Sequence, residues 1–428
     1  MTVAATLSPQ ICAADGALAK ELFDALRERT SDGVGISRDS YGHRETIGLD
    51  IIDKKARQLG LQTERDAGAN LVVTLPGREP DLPFIACGSH LDSVPQGGNF
   101  DGAAGVIAGL AVLARLKETN FNPRRSLKLF GLRGEESARF GKAYMGSSAL
   151  FGRLTPEDLS NKDPATGRTL AECMTNVGVD VARVSRGEPL LDTKTVGAWI
   201  ELHIEQGPVL LARELPVGIV TGIRGNVRHR AVTCIGEAGH SGAVPRWLRH
   251  DAVFAAADLI THIDRHWRTL LERGRDVVVT TGIFGTDPNE HAIARIPGSV
   301  QFSIDIRSQS KETLEAFYDL FLSECAMIGE ERGVKFEFDR RIDSAPATMD
   351  PEWIGRLNRA SRRLGLLAEE MPSGAGHDAA VFANAGIPSA MVFVRNENGS
   401  HNPNEAMTIE DFLAGVSVMR SAIEEALQ

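Results

Sequence analysis

Histidine and carboxylate side chains hold a borderline-hard divalent cation when no thiolates are offered, and a catalytic site needs them converging with one position left open. The sequence supplies such groups five times. His90 and Asp92 stand in Ser89-His90-Leu91-Asp92, where residues two apart in an extended segment share a face, so Asp92 is placed to orient its neighbour. Asp101 lies in Gly97-Gly98-Asn99-Phe100-Asp101-Gly102, a loop whose glycines permit close backbone approach, and a carboxylate there can bridge two cations. Glu135 and Glu136 are adjacent and are expected to point apart, one to ligate and the other to face a substrate. A free carboxylate beside a cation-bound water can take its proton and pass it to a leaving nitrogen. His203 and His401, the latter in Ser400-His401-Asn402-Pro403, add one further imidazole for each of two cations. Alone, each has a plainer reading: a surface or core histidine, a helix N-cap at Asp101, a solvated glutamate pair. Their joint occurrence near strand ends and glycine-rich loops points to one centre.

The elements that must position these groups alternate strand-like and helical runs, which predicts an α/β layer. Leu82–Gly88 is a short apolar run, Asp101–Leu116 carries Val106, Leu110 and Leu113 at helical spacing, and Ser126–Leu132 is a further strand candidate just before the acidic pair. In Gly197–Ile204, Ala198, Ile200, Leu202 and Ile204 fall on one face and Trp199, Glu201 and His203 on the other. Polar groups thus collect past strand ends, where open α/β sheets place their ligands. After Pro216 the order becomes strand (Val227–Gly236), helix (Asp251–Leu271), strand (Asp276–Phe284), strand (Ser299–Arg307), helix (Lys311–Glu331), strand (Val334–Phe338). That order predicts an inserted ferredoxin-like α+β domain over 214–342, with 1–213 and 343–428 forming the α/β domain. A helix near Trp353–Leu364, the run Ser373-Gly374-Ala375-Gly376-His377-Asp378, a strand at Ser389–Val394 and a last helix from Thr408 complete it.

Length and composition narrow the class. A chain of 428 residues exceeds what one core usually serves, and 42% hydrophobic with 24% charged residues is an ordinary globular balance. No stretch approaches the roughly 20 apolar residues that span a bilayer, so no membrane partner is expected. Met1–Gln10 lacks the basic, apolar and small-residue order of a secretory leader. The cysteines Cys12, Cys87, Cys173, Cys234 and Cys325 form no Cys-x-x-Cys pair and read as reduced thiols, which makes the cytoplasm the expected compartment. A net charge of −10 repels phosphate backbones and excludes nucleic acid as an expected partner. An anionic substrate must then be captured by local arginines.

The ordered motifs Gly88-Ser89-His90-Leu91-Asp92-Ser93-Val94, Gly97–Gly102, Glu135-Glu136 with Arg139-Phe140, Glu201-Leu202-His203-Ile204-Glu205-Gln206-Gly207-Pro208, Gly374–Asp378 and Ser400–Pro403 resemble those of the hydantoinase/carbamoylase amidases. That group includes N-carbamoyl-L-amino acid hydrolases, allantoate amidohydrolases and ureidopropionases, within the dinuclear zinc aminopeptidase superfamily. The resemblance spans almost the whole chain. It implies a catalytic domain with a central mixed sheet flanked by helices, interrupted by a ferredoxin-like lid that also makes a homodimer. It implies two divalent cations held by His90, Asp101, Glu136, His203 and His401, with Asp101 bridging, Glu135 as base and Asp92 behind the ligands. Zinc is the first candidate cation, with manganese, cobalt or nickel also compatible with such ligands. Gln206 resembles a contact to the ureido or carboxyl group, and His377 is placed among the substrate contacts. His240 of Gly239-His240-Ser241-Gly242 resembles the histidine that polarises the scissile carbonyl from the partner subunit. Arg307 resembles a clamp for the substrate carboxylate, to which a guanidinium is suited.

Two departures stand out. Where the family has an asparagine before its proline-glycine turn, this chain has Ala294-Arg295-Ile296-Pro297-Gly298, so Asn289 or His291 would have to replace that donor, or Arg295 supply a positive group. Arg246 follows the lid proline, Pro245, where an uncharged residue is usual. The function expected is hydrolysis of the C–N bond of N-carbamoyl amino acids or related small ureido or amide carboxylates. The rival readings are a dinuclear metallopeptidase or N-acyl amino acid deacylase on the same fold and, more remotely, a non-catalytic binding protein.

Overall fold

A computed structural model describes the chain from Pro9, with side chains from Asp15 onward, so the reading of Met1–Gln10 lies, but for the backbone of its last two residues, outside the described residues, as does the Cys12 thiol. The chain divides into two compact units, one reaching to Thr221 and resuming over Thr348–Gln428, the other Gly222–Ala347. The first is built on a nine-stranded sheet whose order is Gln62–Arg65, Leu71–Leu75, Leu127–Leu132, Phe84–His90, Val196–Ile204, Ser389–Val394, Val217–Ile223 and Ala347–Thr348, with Ala368–Ser373 also pairing with Val217–Ile223. Val217–Ile223 pairs antiparallel with Ser389–Val394, so residues 214–221, expected in the insert, belong to the larger sheet instead. At its other end the insert keeps residues 343–347, because Ile342–Ser344 pairs with Gly225–Ile235.

The strands Leu127–Leu132, Phe84–His90, Val196–Ile204 and Ser389–Val394 run parallel to one another. Their carboxyl ends therefore open on one edge. Chain order reverses between Phe84–His90 and Val196–Ile204, which creates the crevice where doubly wound sheets bind ligands. Helix Ala103–Glu118 closes one face of this region; its alanine and glycine content lets it lie almost against the strands. A Cβ added at Gly105 would stand 2.2 Å from the Leu202 carbonyl oxygen, and one at Gly109 would stand 2.6 Å from Leu129. The opposite face is covered too: Trp199 stacks on Phe382 of helix Asp378–Asn384 at 3.9 Å between ring centres. Both faces of Val196–Ile204 are consequently buried, as is usual for parallel strands.

The second unit has its own core, around Val232, Phe302, Phe317 and Phe321. Its main sheet runs Phe284–Gly285, Ser299–Ser308, Gly225–Ile235, Lys335–Phe338, with Val278–Thr280 pairing with Ser299–Ser308. Neighbours are antiparallel, and helices Ala252–Glu272 and Lys311–Arg332 connect them in the order expected of a ferredoxin-like sandwich. The single strand expected over 276–284 is instead two short pieces. No helix among the described residues is long and apolar enough to cross a membrane. Cys87, Cys173, Cys234 and Cys325 are buried free thiols, and burial pushes the Cys87 thiol up to about 12, where it is unreactive.

Candidate metal centre

His90 is the last residue of its strand, and Glu135-Glu136 follow the neighbouring strand after the irregular pair Arg133-Gly134, where Gly134 has a φ of 63°. Asp101 ends the loop before helix Ala103–Glu118, and Gly102 adopts a φ of 64° with its Cα against the His90 ring, where a Cβ would fall 2.5 Å away. Only glycine meets both demands. His203 comes from Val196–Ile204, and His401 from the loop after Ser389–Val394 with a φ of 61°, strained for a side chain of this kind.

These segments bring the expected ligands into two overlapping groups, His90–Asp101–His203 and Asp101–Glu136–His401, each with its ligand atoms within 4.8 Å of one another. Asp101 Oδ1 faces His90 Nε2 at 3.4 Å and His203 Nε2 at 3.3 Å. Its Oδ2 faces His401 Nε2 at 3.4 Å, and Glu136 Oε1 stands 3.2 Å from the same nitrogen. The second ring nitrogens of the buried pair are already committed. His203 Nδ1 contacts the Ile204 carbonyl at 2.9 Å, and His90 Nδ1 the Asp92 carbonyl at 3.1 Å. A carbonyl only accepts, so each Nδ1 carries hydrogen and each Nε2 faces Asp101, His203 Nε2 lying also 3.2 Å from Gly102 N. Without a cation the protons win. Although burial opposes it, hydrogen bonds to Asp101 and Asp92 hold His90 well above its ordinary range, and Asp101 likewise raises His203. His401, beside Asp101 and then Glu136, is raised to about 10. Asp101 is held well below the carboxylate range against its burial by bonds from His203, His401 and His90. The donor set fits divalent cations, which would take the place of those protons between the same atoms.

Asp92 ties the pieces together. Its Oδ1 accepts from Glu135 N and its Oδ2 from Glu136 N, both at 3.0 Å, and Ser40 Oγ donates to Oδ2 at 2.5 Å. The backbone pins thus turn the two glutamates apart: Glu136 toward His401, Glu135 with Oε2 at 4.0 Å from His90 Nε2. Burial pushes the Glu135 carboxyl well above the carboxylate range; His90 opposes this, and Glu136, Asp378 and Asp92 add to it. Gln206, at φ 62°, donates from Nε2 to Asp101 Oδ2 at 2.8 Å, while its buried Oε1 has no partner among the described residues.

His377 lies behind the ligands. Its ring is 4.4 Å from that of His203, it bonds Ser373 Oγ at 2.9 Å, and only 1% of it is exposed. Burial lowers it well below its ordinary range, so it is neutral. The remaining expected contacts belong to the second unit. His240 is exposed, its Nδ1 accepting from Gly242 N, and pairs in register with Arg295. Arg295 is ion-paired with Glu290 at 2.9 Å, and Arg307 with Asp305 at 2.8 Å. Asn289 folds its amide onto Asp287, and His291 bonds Thr286.

Sequence reasoning missed Arg38, Ser40, Glu201 and Glu405. Glu201, fully buried, accepts from Ser89 Oγ, Trp199 Nε1 and Ala379 N and joins two strands to a helix. The alternation that placed Glu201 beside His203 on one face was the available signal. Arg38, Ser40 and Glu405 carry none, since the residues of the centre that they hold, Asp101 for Arg38 and Glu405 and Asp92 for Ser40, lie far away in sequence.

Overlapping imidazole–carboxylate triads at the switch point of an open α/β sheet define a metallohydrolase-type centre. The chain belongs to peptidase family M20/M25/M40, whose pattern matches residues 86–425. It is 36% identical to an N-carbamoyl-L-amino acid amidohydrolase of Geobacillus stearothermophilus over 92% of this chain and 94% of the relative. It is 32% identical to the allantoate amidohydrolase of Escherichia coli over 86% and 87% of the two chains. A crystal structure of a hydantoinase/carbamoylase family amidase from Burkholderia multivorans superposes with a TM-score of 0.86 at 29% identity, covering 98% of this chain and 99% of the other.

Proposed function

We propose that this protein is a metal-dependent amidohydrolase that cleaves the C–N bond of N-carbamoyl amino acids or related small ureido carboxylates through a pair of divalent cations. The observation that carries the reading is Asp101, whose two oxygens face different imidazoles, Oδ1 those of His90 and His203 and Oδ2 that of His401. One carboxylate so shared suits two ions. His90 and His203 would hold one and Glu136 and His401 the other, with zinc first among the candidates and manganese, cobalt and nickel chemically acceptable. When bound, such cations polarise a carbonyl and lower the pKa of water from about 15.7 towards 7.

Glu135 is free of the triads and takes the proton of the attacking water, then delivers it to the departing nitrogen. Its burial, which raises its basicity, serves that exchange. The unpaired Oε1 of Gln206 suits an N–H of a ureido group. His240 and Arg307 are proposed as substrate groups on their chemistry, an imidazole for a carbonyl oxygen and a guanidinium for a carboxylate. His377 acts through His203, which it supports. The relatives are named for N-carbamoyl-L-amino acids and allantoate, and the amidohydrolase chemistry they share is what we carry over. We further infer a cytoplasmic homodimer formed through residues 222–347, to be checked by solution mass.

Replacing Glu135 with Gln is expected to leave the metal content unchanged and lower kcat by about 10²–10⁴-fold; retained turnover assigns the base elsewhere. Metal-loaded protein should release ammonia from N-carbamoyl amino acids. Turnover of dipeptides or N-acyl amino acids instead would make it a peptidase or deacylase.

A further inference from the structure

Two fully or nearly buried charges lie behind the candidate centre, outside both ligand groups. Arg38 is 0% exposed and Glu405 6%. Glu405 Oε1 accepts from Phe100 N at 2.8 Å and Asp101 N at 3.2 Å. Its Oε2 is 2.6 Å from Ser400 Oγ, which also stands 2.5 Å from Asp101 Oδ2. Arg38 works from the other side: Nε donates to the Leu91 carbonyl at 2.6 Å, Nη1 to Asn99 Oδ1 at 3.4 Å and Nη2 to the Asp101 carbonyl at 3.5 Å. The Asp101 residue is thus gripped by an anion at its amide and a cation at its carbonyl. Gly98 makes room for this, since a Cβ there would fall 2.1 Å from Glu405 Cδ.

Burying two charges is costly and is a poor route to stability, so their place asks for another account. We propose that Glu405 and Arg38 are positioning residues that fix the Asp101 carboxylate between the two cation positions, Glu405 in addition locking it, through Ser400, to the segment that carries His401. The proposal rests on the reading of Asp101 as the shared ligand. It also accounts for Gly98: the glycine is the recess that the Glu405 carboxylate fills.

The test is manganese binding to the full-length chain, followed by equilibrium dialysis, with folding checked by circular dichroism. Glu405→Ala should weaken both ions about 10–100-fold, the range found when groups behind metal ligands are removed. Glu405→Gln should stay within about threefold of wild type, because its carbonyl still accepts both amides and its amide can donate to Ser400. Glu405→Asp keeps the charge but is one methylene short, and Gly98→Ala evicts the carboxylate; both should behave like Glu405→Ala. The two latter variants also decide the matter if Glu405→Ala does not fold. Wild-type affinity in Glu405→Ala or Glu405→Asp, or a Gln variant as weak as the Ala variant, overturns the clamp. Wild-type protein that binds no manganese or zinc overturns instead the cation reading beneath it.

Discussion

At the scale of single residues, the centre is a set of acceptors facing one another. Asp101 lies opposite three imidazole nitrogens, and in the cation-free chain protons occupy that space: His401 stays charged up to about 10, with Asp101 and Glu136 as the cause. The sign follows. A raised imidazole gives the cation-free fold stability that is fully present below the ordinary value of 6.5 and is lost as pH rises through about 10. Cation uptake has to expel those protons, so affinity falls as pH falls. Adding zinc or manganese to weakly buffered protein at pH 7 is therefore expected to acidify the solution, with less acid released per ion as the starting pH approaches 10. Uptake without proton release would mean that the imidazoles are not the ligands. Asp92 shows how little of this is decorative, since one carboxylate meets His90, Glu135, Glu136 and Ser40.

At the scale of elements, the centre depends on how closely helix Ala103–Glu118 approaches the strands beneath it. Gly105→Ala places a methyl on the Leu202 backbone, which cannot yield as a side chain could. It should cost about 1–3 kcal/mol in a urea melt and weaken cation binding, because Asp101 and Gly102 lead directly into that helix. An unchanged melt would show that the helix lies farther out. Much of this layer was legible in the sequence: the apolar runs read at 82–88, 126–132 and 197–204, which fold as strands 84–90, 127–132 and 196–204, and helical spacing from Val106 were enough to place the candidate ligands near strand ends. Other features were not. Val217–Ile223 is as apolar as the insert strands that follow, and only its partner, Ser389–Val394, assigns it to the larger sheet. Local pattern likewise says nothing of Arg38 or Glu405, whose roles come from contacts 63 and 304 residues away along the chain. His377, placed with the resemblance among the substrate contacts, has its ring buried against that of His203, a neighbour that local pattern does not reveal.

At the scale of the whole molecule, two units with separate cores should respond differently to loss of cation. A ligand at 100 times its Kd stabilises the fold that binds it by about 2.7 kcal/mol. Chelation is therefore expected to speed hydrogen exchange in strands 84–90 and 196–204 and leave 225–235 and 299–308 unchanged; equal loosening of both would show that the units unfold as one. The ligand groups are also unequal. His90 and His203 are each 1% exposed at the side chain, whereas His401 is 50% exposed and sits on a loop in a left-handed conformation. An ion at the inner position would be held by imidazoles almost wholly out of contact with water, and one at the outer position partly by a half-exposed imidazole. On the two-ion reading, an ion held at the outer position is accordingly expected to exchange with the surrounding buffer sooner than one held inside, and a pulse of a second metal followed by desalting would show replacement at the outer position first; equal replacement of both would overturn the distinction.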